Sequence, residues 1–245
     1  MKKILLSIAL VVVLAIAGGA WWFYSSLDSI AASAIRTYGP EIAGVSVKLS
    51  SLRIVPADGS AVLRGLSIGN PKGFKTDRAL SLGEISMVLD AGSLTSNVIL
   101  IKKITITGAE ISYEYGAGSS NLDAIQRNID RYVTERLGTN ERAAPTKGPA
   151  KKLIIDNLFV VGGKVTVSAA ALQGKTMSVD LPTVSLHGIG RTHGGATAGE
   201  IVQQVMGGLT YNATRAASSL NLGNAADALK RGAGPAGDKI KGLLQ

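Results

Sequence analysis

The sequence predicts an α+β fold: an N-terminal transmembrane helix, then a curved, elongated antiparallel β-sheet with covering helices. Three observations predict it. Residues 4–24 carry no charge. Strand-like alternation of apolar residues recurs from Val45 to Leu186. Helical spacing of apolar residues appears only in a few separate stretches, chiefly Asn121 to Leu137 and Ala198 to Leu209.

The uncharged run follows Lys2 and Lys3. Its 21 residues would span about 30 Å as a helix, the hydrocarbon thickness of a bilayer. Trp21, Trp22 and Tyr24 stand at its far end, where interfacial aromatics sit. Lys2 and Lys3 hold the start in the cytoplasm, which exports the body. The rival reading is a cleaved signal peptide with Gly18-x-Ala20 as the cut. The expected division is residues 1–26 as anchor or signal peptide, 27–222 as a β-rich domain with helices, and 223–245 as an Ala/Gly/Lys-rich tail.

Leu27 to Ile42 reads as a short amphipathic helix that Gly39-Pro40 ends or kinks. In the strand-rich region, Val45, Val47 and Leu49 alternate, and Leu52 and Ile54 continue on the opposite parity. That slip predicts a bulge at Ser50-Ser51. Val62 to Ile68 is a second strand after a PADG turn, and Asn70 to Phe74 is a turn cluster. Leu80 and Leu82 give way to Ile85, Met87 and Leu89 across Gly83-Glu84, a second predicted bulge.

Ile104 to Tyr115 reads as a β-hairpin turning at Gly108-Ala109, pairing Ile106 with Ile111, Ile104 with Tyr113, and Lys103 with Glu114. The pattern returns 54 residues later, with Leu158, Val160, Gly162, Val165 and Val167 in place of Ile104, Ile106, Gly108, Ile111 and Tyr113. The repetition predicts a second hairpin at Gly162 and an elongated sheet. Asn121 to Leu137 reads as a helix capped by Ser120 or Asn121, with Leu122, Ile125, Ile129 and Tyr132 as its apolar stripe. Gly138 to Ala150 is a polar linker. Pro182 implies a bent or edge strand, and Thr197-x-x-Glu200 is a capping box. Ile240 to Leu244 closes the tail as one further helix.

Composition narrows the function. The chain has no cysteine, so no disulfide and no thiolate metal site. The net charge of +9 is scattered, and basic residues do not interleave with aromatics as in nucleic-acid binders. No nucleic acid is expected, and the charge suits anionic lipid headgroups better. GIGRTHGG, residues 188–195, lacks the βαβ setting of a phosphate loop. His187 and His193 have no nearby carboxylates, which speaks against a metal site or a catalytic triad. Asn212-Ala213-Thr214 matches a glycosylation sequon but falls in a helical stretch. No cofactor, metal or catalytic residue is expected.

Longer stretches carry a resemblance. LRI followed by GSAVLRGLSIGNPKGF within residues 52–74, LSLGEISMVLD at 80–90, VILIKKITITGAEISYEYG at 98–116 and SNLDAI at 120–125 are similar to the AsmA family of bacterial envelope proteins. LPTVSLHGIG and GGATAGEIVQQV, within 181–205, resemble the closing segment of its short members. The resemblance implies a single-pass inner-membrane anchor and a periplasmic, groove-shaped sheet with an apolar lining. It implies lipid binding or shelter in envelope (outer-membrane) biogenesis or lipid homeostasis, and no catalytic residues. About nine strands at 4.8 Å would stack to only about 43 Å, too short to bridge the envelope alone.

The expected function is therefore a membrane-anchored, non-enzymatic protein that binds phospholipid or fatty acyl chains. The candidate lipid-facing residues are Ile104, Ile106, Ile111, Tyr113, Leu158, Val160, Val165 and Val167. The alternative is a structural or interaction protein of the envelope whose helices fill the apolar face and leave no groove. An unrecognised hydrolase is the third reading. Protein partners are undetermined.

Overall fold

The computed structural model describes residues 27–116, 118–138, 151–169 and 176–220. The proposed membrane span, nearly all of the linker and the tail lie outside these residues. Among the described residues no helix is long and apolar enough to cross a membrane.

Among the described residues, three α-helices and ten strands make an α+β fold with one mixed sheet. In chain order they are α1 (27–43), β1 (Val47–Lys48), β2 (Ser51–Val55), β3 (Ser60–Gly69), β4 (Arg78–Leu89) and β5 (Val98–Gly116). Then come β6 (Ser119–Ser120), α2 (Asn121–Gly138), β7 (Lys152–Val161), β8 (Gly163–Ala169), β9 (Thr176–Leu181), β10 (Val184–Ile189) and α3 (Ala198–Ser218). The PADG hairpin forms between β2 and β3 as expected, with Gly59 closing the turn at φ 58°. Helix α1 runs past Gly39-Pro40 to residue 43, so the glycine-proline pair does not end it.

The expected hairpin at Gly108-Ala109 does not exist. Residues 98–116 form one 19-residue strand, β5, which runs through Gly108. The hairpin at Gly162 is also absent. β7 and β8 both lie parallel to β5, as successive segments of one path. The 54-residue echo is instead the register of two parallel neighbours: Ile104 lies opposite Leu158, Ile106 opposite Val160, Ile111 opposite Val165 and Tyr113 opposite Val167. The sheet is thus mixed, not antiparallel throughout. A parallel pair cannot be joined by a tight turn, and the crossover that contains α2 supplies the long connection. Lys103 faces Val88, not Glu114.

The bulges expected at Ser50-Ser51 and Gly83-Glu84 do not form; the two parity slips instead belong to one row of residues that crosses the sheet. Gly65 in β3 stands opposite Gly83 in β4, Gly83 opposite Gly108 in β5, and Gly108 opposite Gly162, as the flanking registers require. The row continues to Ser50 before β2, and to Pro182-Thr183 between β9 and β10. Along each path the core-facing parity changes there: Ile104 and Ile106 before, Ala109, Ile111 and Tyr113 after. Gly65, Gly108 and Gly162 each take φ 63°, which L-residues with a Cβ rarely adopt. Pairing runs one-for-one across the row, so none of these residues is a bulge. The register shifts fall at Ile68/Gly69 and Val88/Leu89 instead, and the shared change of parity forms a crease across the sheet.

The result is one apolar face on both sides of the crease. Leu63, Leu82, Ile85, Ile106, Ile111, Val160 and Val165 on the sheet join one buried core with Leu122, Ile125, Ile129 and Val133 of α2. Ile201, Met206, Leu209 and Ala213 of α3, with Ala32 and Ile42 of α1, complete it. Ser120 caps α2: its hydroxyl accepts from Asp123 N–H at 3.1 Å, and Asp123 accepts from Ser120 N–H. The Thr197/Glu200 capping box starts α3 as predicted, and α3 runs nine residues past the expected Leu209 to Ser218.

Candidate functional site

The eight expected lipid-facing residues do share one face, as four cross-strand pairs in two parallel neighbours. None of them lines an open surface. Each is at most 8 % exposed, and Val165 and Val167 are fully buried. They lie in the same core as the apolar faces of α2 and α3. Small residues bring the cover close. Gly199 sits where a Cβ would stand 3.3 Å from Tyr132 and Val133, and Gly208 packs against Leu186. Between the helices, Asp130 accepts hydrogen bonds from Gln126 Nε2 and Gln203 Nε2, both at 2.9 Å.

A buried polar clasp escaped the sequence reading. Glu114, expected on a solvated face, is only 7 % exposed. Its carboxylate accepts from the backbone N–H of Lys75 at 2.7 and 2.9 Å, from Thr76 N–H at 2.9 Å and from the Thr76 hydroxyl at 3.0 Å. Beside it, Asn121 Nδ2 donates to Asn70 Oδ1 and to the Ser112 carbonyl, both at 2.7 Å, and Asn121 Oδ1 accepts from Glu114 N–H. The clasp ties the turn after β3, the end of β5 and the start of α2 together. The available signals were Asn70 opening a turn cluster and Asn121 at a helix start, but these two side chains are 51 residues apart. Replacing Glu114 by Gln puts an amide against backbone donors and is expected to cost ~2–3 kcal/mol, the scale of hydrogen bonds to a charged acceptor. Urea unfolding would measure it, and a change under about 0.5 kcal/mol, the size of an ordinary surface substitution, would show that the clasp contributes little.

The opposite face of the sheet is polar. Lys103 lies over the Phe159 ring at 5.7 Å from its centroid, and His187 meets that ring edge-on. His187 Nδ1 bonds Asn157 at 2.9 Å, and Arg191 pairs with Asp156 at 2.6 Å. Lys102, hydrogen-bonded and ion-paired to Asp90, holds that carboxyl below its ordinary range. His193 bonds the neighbouring Thr192 hydroxyl, away from this cluster. Among the described residues no group of three or more His, Asp or Glu is placed to hold a metal ion. Asn212 lies in α3, its amide donating to the Gly208 carbonyl.

No protein-family model matches the chain, and no curated protein matches it.

Proposed function

We propose that this chain is a membrane-anchored, non-enzymatic envelope protein of AsmA-like type, and that its sheet body is a packed structural or interaction module. The observation that supports the packed reading is the burial of the eight-residue ladder under α2 and α3. An acyl chain gains free energy by covering exposed apolar area. A face that the protein's own helices already cover offers little of it. Residues 1–26 anchor the body in the inner membrane, with the start in the cytoplasm and the sheet in the periplasm.

Lipid shelter is the second reading, and one feature favours it. Much of the buried side of α3 is small: Gly199, Ala213, Ala216 and Ala217. Small side chains bury less apolar area per turn than Leu or Ile, which makes α3 the cover most readily lifted from the sheet. Phospholipid or fatty acid would then occupy the uncovered ladder.

One preparation tests both parts. A reporter enzyme fused after Gln245 is expected to be active only in a strain that exports it, and a cytoplasmic C-terminus would overturn the topology. Full-length protein, gently extracted, is expected to carry no stoichiometric lipid in native mass spectrometry. Bound phospholipid or fatty acid at about one per chain would overturn the packed reading and establish shelter.

A further inference from the structure

The two edges of the sheet are finished differently. At the β2 edge, α1 occupies two of the outward backbone groups. Ile54 N–H donates to Asp28 Oδ1 at 2.7 Å, and the Leu49 carbonyl accepts from Arg36 Nη2 at 3.0 Å. These are groups that an added strand would need, so this edge is plugged. The opposite edge is the path Thr176–Leu181 and Val184–Ile189. Among the described residues β9 pairs only with β8, and β10 only with β7. Among the described residues no side chain bonds an outward backbone group of that path. It carries no lysine, and Asp180 and His187 are its only titratable groups. At 3.3 Å per residue it offers about 45 Å of strand edge.

We propose that this edge pairs with the same edge of a second copy of the chain, β9 of one against β10 of the other, about a two-fold axis at Pro182-Thr183. The crease selects the register. Leu181 and Val184 are both buried core residues, while Pro182 and Thr183 between them are exposed. Setting Pro182 of one copy opposite Thr183 of the other brings Leu181 against Val184 and Val179 against Leu186, apolar on apolar. Asp180 then meets Ser185 and Ser178 meets His187, with no like charges opposed. Moving the register by one residue in either direction sets apolar residues against polar ones. The sheet already makes this arrangement internally: β4 and β5 cross the crease with Leu82 against Ala109 and Ile85 against Ile106. Pro182 lacks an N–H, but it falls at the crease, where a strand tolerates proline.

The plugged β2 edge limits the assembly. A β9-to-β2 contact would be head-to-tail and could propagate into filaments, whereas edge-on-itself pairing is isologous and closes at two copies. The inference rests on the edges alone and is independent of lipid binding or membrane anchoring.

The chain has no native cysteine, which makes cross-linking specific. Full-length protein in detergent is expected to be dimeric at roughly tens of micromolar, within the range of specific self-association. Asp180→Cys with Ser185→Cys is expected to form a disulfide-linked dimer under mild oxidant. Neither single variant should do so, because a residue five positions from its symmetry mate is beyond disulfide reach. Ser178→Lys with Asp180→Lys changes only exposed positions and is expected to give a folded monomer by circular dichroism and scattering mass. A monomeric wild type would overturn the proposal. So would a dimer that survives the two lysines, or a dimer that the paired cysteines fail to trap. Exchange-protected β9 amides in a monomer would assign the edge to residues 221–245 instead.

Discussion

Val160→Asp is expected to abolish cooperative folding, and Ile106→Asp to do the same. Val160 is 1 % exposed and Ile106 4 %, each opposite the other across the parallel pair. The strand partners of a carboxylate placed there, Ile106 and Val184 for residue 160 and Ile85 and Val160 for residue 106, are aliphatic and offer it no cation or side-chain donor. Burying an unpaired charge costs several kcal/mol even after relaxation. Whole domains are stable by only about 5–15 kcal/mol. Ile106→Val supplies the graded control. It removes one methylene, should cost ~1 kcal/mol, and should leave a folded protein. Circular dichroism melts would read all three. An open apolar trough predicts the reverse: both aspartates fold and only lipid recovery falls. Folded, cooperative Val160→Asp would therefore remove the packed core from this account.

The second large effect is expected at the crease. Gly108→Ala and Gly162→Ala each force a Cβ into the left-handed region at φ 63°, at about 1–2 kcal/mol. At Gly162 nothing lies within 4 Å of the added carbon, so the cost there is backbone strain alone. Gly65→Ala should cost more. Its Cβ would run into the hydroxyl and Cβ of Ser50, on top of the same strain. Adding Ser50→Gly should recover part of that excess, because the two sites share one contact. Gly207→Ala is the opposite control. It sits inside α3 with open space at the Cβ position, so alanine should raise stability by about 0.5–1 kcal/mol. Chemical denaturation would rank the four. If Gly65→Ala proved no worse than Gly162→Ala, the close approach of β2 to β3 at the crease would be wrong.

Much of this protein was legible in the residues alone. The amphipathic spacing of Leu122, Ile125 and Ile129, and the Thr197/Glu200 box, placed two helices at their true starts. These are local signals, decided within one or two turns by side chains that reach their own backbone. The parity slips at Ser50-Ser51 and Gly83-Glu84 were real, though not as bulges, and Ile104 does correspond with Leu158, as a parallel neighbour and not as a repeated hairpin. Strand pairing is another matter. A glycine at φ 63° serves equally in a tight turn and in a kink of a continuous strand, and the sequence near Gly108 looks the same in both. Only the neighbouring strand distinguishes them. With Gly83 opposite, and each glycine's Cα 3.5 Å from a Cβ built on the other, Gly108 is the middle of a crease. The same non-local choice turned two hairpins into parallel neighbours and drew Glu114 inward onto the 75–76 backbone. It also decided the fate of the eight apolar residues. Period-two alternation names the face that leaves water, but whether a helix or a ligand covers that face depends on contacts between segments tens of residues apart. Here α2 and α3 cover it.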